Sequence, residues 1–122
     1  MASIEFSISL LKIPVSDIAR SATFYRDSLG FEEMFVVPEY GWAQLKSGNL
    51  QLALYKPGMG GGDRSLGGTV DFHLEVADLE RYLAHLISKG TNAGTGIQKG
   101  DDGTQFVEVT DPDGNVLKIM KK

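Results

Sequence analysis

Two short stretches decide how this chain folds, Val15-Ser-Asp-Ile18 and Val76-Ala-Asp-Leu79. They lie 61 residues apart and share their surroundings. A strand-like run precedes each. A helical pattern follows each and ends in glycine, at Gly30 and Gly90, an offset of 60. Gly48-Asn49 and Gly114-Asn115 then each introduce an apolar run, and the offset has grown to 66. The second copy therefore carries a longer loop. A repeat of this size in a chain of 122 residues means two copies of one supersecondary unit.

The unit can be read outward from these stretches. Leu10 to Val15 reads as a strand. Ser16 or Asp17 caps a helix whose inner stripe is Ile18, Ala22, Tyr25 and Leu29. Gly30 takes the place of a C-terminal glycine cap. Three strands follow, at 31–37, 41–46 and 50–56, with turns at 38–40 and 47–49. The second half repeats the order. A strand spans 69–76, and Ala77 or Asp78 opens a helix with Leu79, Leu83, Leu86 and Ile87 inward. Strands then lie near 91–98, 105–110 and 115–121, with Asp111-Pro-Asp-Gly114 as the last turn. The fold class is α+β: two tandem βαβββ modules with mixed sheets forming a cleft. A single domain spans 1–122, with module one at about 8–57 and module two at about 69–122. The glycine-rich stretch 58–68 reads as a flexible connector.

Strand alternation assigns the faces. Leu11, Ile13 and Val15, then Phe72, Leu74 and Val76, then Leu117 and Ile119 form apolar faces for the helices. Lys12, Asp71, His73, Glu75 and Lys118 point the other way. A mixed face of this kind suits a cleft or an interface.

Composition narrows the classes. A hydrophobic content of 42% fills one core, and a net charge of −4 argues against nucleic acid as partner. There is no cysteine, which removes disulfides, thiolate metal sites and cysteine nucleophiles. No apolar run approaches the roughly 20 residues of a membrane span, and no signal peptide is visible, so the expected compartment is the cytoplasm. No phosphate loop surrounds the glycines at 60–62, and no Ser/His/Asp nucleophile motif is present.

Three segments carry a family resemblance: Val15-Ser-Asp-Ile-Ala-Arg-Ser-Ala-Thr-Phe-Tyr25, Leu29-Gly-Phe31 and Asp111-Pro-Asp-Gly-Asn-Val-Leu-Lys118. They resemble the vicinal oxygen chelate superfamily, which includes glyoxalase I, extradiol dioxygenases, fosfomycin-resistance enzymes and bleomycin-resistance proteins. The resemblance runs from about Leu10 to Met120. It implies paired βαβββ modules around a cleft, usually in a homodimer. It also implies, for the enzymes, a divalent metal held by His, Glu or Gln at equivalent strand positions. Here those positions carry Leu10, Asp71 and Lys118. The remaining position falls on Gln51, Leu52 or Ala53, of which Gln51 alone could ligate. Leu has no lone pair to donate, and the Lys ammonium has no acceptor. No metal site and no cofactor is expected.

The resemblance then points to the non-metal, bleomycin-resistance branch. Gly41-Trp-Ala-Gln-Leu-Lys-Ser-Gly-Asn-Leu50 and Pro57-Gly58 are similar to that branch, which sequesters drugs without chemistry. The expected function is metal-independent binding of a small organic ligand, a cationic or aromatic drug, with antibiotic resistance as the outcome. The expected ligand-binding residues are Trp42, Phe35, Lys12, Tyr55, His73, Glu75, Glu108 and Lys118, and no catalytic residue is expected. Trp42 offers a flat wall for stacking, or it packs the core or a dimer. Lys12 and Lys118 either neutralise Asp71, Glu75 or Glu108 or bind an anionic group. His73 with Asp71 and Glu75 either hydrogen-bonds a ligand or forms part of a metal site. The alternative function is a metal-dependent glyoxalase-like lyase or dioxygenase with altered ligands, Gln51, Asp71, His73 and Glu75. A third reading is a structural dimer with a closed cleft. His85, in the second helix, reads as a solvated surface residue.

Overall fold

The structure, a computed structural model, describes residues 3–122. Module one contains β1 (Leu11–Pro14), α1 (Ile18–Thr23, continued by a wider π-helical turn over Phe24–Leu29), β2 (Glu32–Val37), β3 (Trp42–Ser47) and β4 (Leu50–Tyr55). Module two contains β5 (Gly68–Val76), α2 (Leu79–Ser88), β6 (Gln98–Lys99), β7 (Gln105–Thr110) and β8 (Asn115–Lys121). The sheets have the same topology, β1-β4-β3-β2 and β5-β8-β7-β6. In each the first strand runs parallel to the last, and the other pairings are antiparallel.

Local chemistry accounts for the helix boundaries. Of the two expected caps, aspartate serves both times. Asp17 Oδ1 accepts from the Arg20 amide at 3.0 Å and Asp78 Oδ1 from the Arg81 amide at 2.9 Å. Gly30 closes the first helix with φ 99°, a left-handed conformation that glycine adopts without a Cβ clash. Ile18, Ala22, Tyr25 and Leu29 are all buried, as their spacing predicts.

One expected strand is largely missing. Of 91–98, only the last residue joins a two-residue strand, Gln98–Lys99. Gly94 and Gly96 adopt φ 58° and 84°, which breaks an extended run. A loop takes its place, and the Thr110 amide holds it by donating to the Asn92 carbonyl at 3.1 Å.

Buried side chains from both halves form one cluster, in which Ile13, Tyr25 and Leu54 meet Leu79, Val107 and Leu117. Polar links also cross between the modules. Asn115 Nδ2 donates to the Pro14 carbonyl at 2.8 Å, and the Tyr82 hydroxyl donates to the Leu29 carbonyl at 2.7 Å. The Tyr25 hydroxyl donates to Asp111 at 2.8 Å. His85, expected at the surface, is half-buried: its Nε2 lies 3.0 Å from the Ser28 carbonyl and its ring stacks on Tyr82. The sequence shows the turn of helix that carries His85 but not the other module packed against it. No helix among the described residues is long and apolar enough to cross a membrane.

Candidate functional site

Each sheet turns one face to its helix and leaves the other open. On the first sheet, strand register lays the open face out in rows. Pro14, Tyr55, Trp42 and Val37 form one row, and Lys12, Ala53, Gln44 and Phe35 the next. Ala43 and Leu45, the neighbours of Trp42 and Gln44, are fully buried on the helix side. A hydrogen-bonded ladder runs down this face. Trp42 Nε1 donates to Gln44 Oε1 at 3.2 Å, and Gln44 Nε2 donates to Gln51 Oε1 at 2.6 Å.

The glycine-rich stretch does not hang free between the modules, as its composition led us to expect. Part of it lies on this face. A Cβ at Gly61 would stand 2.8 Å from Tyr55 Cβ and 3.1 Å from the Trp42 ring, and one at Gly62 would stand 2.9 Å from the Tyr55 ring. Only glycine lets the backbone approach the two aromatic rings so closely. Lys12 fastens the contact: its Nζ donates to the Gly61 carbonyl at 2.6 Å and sits 5.3 Å from the Tyr55 ring centroid. Tyr55 is consequently only 2% exposed. Trp42 keeps a half-buried edge and Phe35 an exposed ring.

The second open face has another character. His73, Lys118 and Glu108 stand in one row, and Glu75, Met120 and Phe106 in the next. Lys118 Nζ lies 4.8 Å from the Phe106 ring centroid. Gln98, level with Phe106 at the end of the second row, reaches across to the first: its Nε2 donates to Glu108 Oε1 at 3.0 Å. The two faces adjoin at a small recess lined by Lys12, Pro14, Arg64, Thr69 and Asn115.

The ligand-binding residues named from sequence therefore fall into two groups. Lys12, Phe35, Trp42 and Tyr55 share the first face, and His73, Glu75, Glu108 and Lys118 share the second. Lys12 pairs with no acid among the described residues and bonds the connector backbone instead. Asp71 pairs with Arg64 at 3.0 Å, a partner that lies in the connector. Gln44 and Phe106 escape the sequence reading as contributors to the faces, and Met120, which alternation puts on the face of Lys118, is not among the ligand-binding residues named from sequence. Alternation through Trp42 and Lys118 carried the signal for Gln44 and Met120, whereas Phe106 needed the pairing of β7 with β8.

A two-module architecture of this kind can now be compared with known proteins. The family model of the Glyoxalase/Bleomycin resistance protein/Dioxygenase superfamily matches residues 7–119. The chain belongs to this superfamily. Solved structures of the same fold agree with the assignment. A superfamily member from Sphaerobacter thermophilus is 24% identical, with TM-score 0.82, and 97% of this chain and 98% of that chain are covered. Lactoylglutathione lyase from Agrobacterium tumefaciens is 17% identical, with TM-score 0.83 and coverage of 98% and 96%. TnmS3, an antibiotic binding protein from a Streptomyces species, is 25% identical, with TM-score 0.73 and coverage of 98% of both chains. No curated protein sequence matches. The same fold thus serves a lyase in one of these proteins and an antibiotic binder in another.

Proposed function

We propose that this superfamily member is a metal-independent binding protein that holds a small organic ligand, aromatic or cationic, on its open sheet faces. The observation that carries the reading is Lys118. It stands in register between His73 and Glu108, where the resemblance puts a metal-binding carboxylate. A divalent cation needs several lone pairs converging on it, and an ammonium offers none and repels the ion. The other candidate donors are dispersed or engaged. Gln51 belongs to the first sheet and accepts from Gln44. Asp71 pairs with Arg64. Among the described residues no group of three or more His, Asp or Glu side chains could hold a metal. The residues present do not fit the metal of the enzymatic relatives.

The faces supply what an organic ligand would use instead. Trp42 and Phe35 offer flat apolar surface on one sheet, and Glu75 and Glu108 offer carboxylates beside Phe106 on the other. A cationic aromatic molecule matches both. Two copies joined as a homodimer would enclose these faces, and action in the cytoplasm as a drug-sequestering protein belongs to the same reading. TnmS3, an antibiotic binding protein of this fold, gives the reading a precedent.

Thermal melting tests it. A cationic aromatic antibiotic that binds should raise Tm and quench Trp42, since a ligand at 100 times its Kd stabilises by about 2.7 kcal/mol. A stoichiometric, metal-dependent rise with Zn2+, Ni2+ or Mn2+ would refute the proposal. Silence across a broad drug panel would leave a structural dimer as the better reading.

A further inference from the structure

We propose that the second open face selects an amphoteric ligand, a small molecule whose acidic oxygen group is held by Lys118 and whose protonated amine is held by Glu108. The inference rests on the reading that the open faces bind an organic ligand, and it names the charges which that ligand carries.

Lys118 and Glu108 are direct cross-strand neighbours in the β7–β8 pair and share one face. Opposite charges so placed ordinarily attract each other into a pair. Here each is drawn elsewhere. Lys118 Nζ lies 4.8 Å from the ring centroid of Phe106, in the next row, and Glu108 Oε1 accepts from Gln98 Nε2 at 3.0 Å. None of the ion pairs among the described residues includes Lys118, Glu108 or Glu75. Asp71 differs: it is further along β5, and Arg64 engages it at 3.0 Å. An aromatic ring uses only part of what an ammonium can donate, and one amide donor leaves most acceptor sites of a carboxylate open. Lys118 and Glu108 are both half-buried, so neither charge is fully hydrated. The face thus presents one unpaired cation beside one unpaired anion.

Such a pair discriminates by repulsion as well as by attraction. A simple cation beside Glu108 meets the Lys118 ammonium, and a simple anion beside Lys118 meets Glu108. A ligand that carries both charges lies with its dipole antiparallel to the Lys118–Glu108 pair, and each of its charges then faces the opposite one. Glu75, on the same face, adds a second acid and favours the amine end over the acidic end. Strand geometry sets the spacing. Lys118 is one strand away from Glu108 and leans toward Phe106, two residues before it on β7. Adjacent strands are about 5 Å apart and alternate residues along a strand about 7 Å apart, so the two charges of the ligand should stand about 5–8 Å apart. A single benzene ring with its two charged groups in para positions holds them at that distance.

Three probes that differ in charge on one ring test this at about pH 7: para-(aminomethyl)benzoate, which is zwitterionic, its methyl ester, a cation, and para-methylbenzoate, an anion. Calorimetry on the parent protein should show the zwitterion binding about tenfold tighter, or more, than either of the others. Lys118→Met should abolish its advantage over the ester, because the ester no longer meets an ammonium. Glu108→Gln should weaken the zwitterion and the ester alike. An ester or a para-methylbenzoate that binds the parent protein as tightly as the zwitterion overturns the inference and leaves the binding function of the open faces standing. A Lys118→Met protein that keeps the full preference for the zwitterion also overturns it. If none of the three probes binds while a cationic aromatic antibiotic raises Tm, the charge assignment falls and the proposed function stands; silence from the probes and from the drug panel together overturns both.

Discussion

Buried at the turn before β8, the Asp111 carboxylate accepts four hydrogen bonds. They come from the Tyr25 hydroxyl, the Asp113 amide, the Asn115 amide and Asn115 Nδ2, all between 2.8 and 2.9 Å. In the sequence this aspartate reads only as the first residue of a turn. Its link to Tyr25, 86 residues earlier, makes it a clamp between modules. Asp111→Ala should destabilise the protein by about 3 kcal/mol, measured by urea denaturation, because it leaves buried donors unpaired. Tyr25→Phe should cost about 1 kcal/mol. The tyrosines also predict a pH dependence. Burial, with Asp111 close by, holds the Tyr25 hydroxyl well above its ordinary range, and burial pushes Tyr82 up to about 12. A raised folded-state value favours the neutral hydroxyl, so this stability is fully present below pH 10 and is lost as pH climbs beyond it. Urea midpoints between pH 9 and 11.5 should fall, and the fall should be shallower in Tyr25→Phe.

At the scale of elements, the connector is the segment whose role composition misstates. Glycine content suggested looseness, but Gly61 and Gly62 are small so that the chain can lie against Tyr55 and Trp42. Gly61→Val should lift the segment from the sheet. Trp42 emission should shift to the red and acrylamide quenching should rise, with Lys12 losing its bond to the Gly61 carbonyl. An unchanged Trp42 spectrum would mean that the backbone yields elsewhere. The helix caps were easier to read. Asp17→Ala and Asp78→Ala should each cost about 1 kcal/mol, seen as lower urea midpoints. A cap acts within three residues and is visible in sequence, while a connector packing on a sheet depends on where the whole strand array places it.

For the whole molecule, the shared core and the links through Asn115, Tyr82 and Tyr25 predict one unfolding event. Trp42 reports on module one alone, since it is the single tryptophan. Its fluorescence transition and the far-UV circular dichroism transition should coincide in urea. Asn115→Ala should destabilise the protein by about 2 kcal/mol and lower the common midpoint without separating the two probes. A Trp42 transition that preceded the other would show modules folding independently.

By itself the sequence determined the two βαβββ units, the stripe of the first helix and which strand residues face away from the helices, whereas Ile87, expected inward on the second helix, is 66% exposed. All of these follow from periodicity and capping, which act between residues close in the chain. The Leu10, Asp71 and Lys118 substitutions were likewise legible one position at a time. Tertiary structure alone decided that Lys118 lies between His73 and Glu108, that Lys12 ties down the connector, and that the strand at 91–98 shrinks to two residues. It also divided the candidate residues between two faces and opened a crease between the modules. Those outcomes depend on register between strands and on packing between halves, where the deciding atoms lie far apart in the chain, as in the bond from Asn115 to Pro14 over 101 positions.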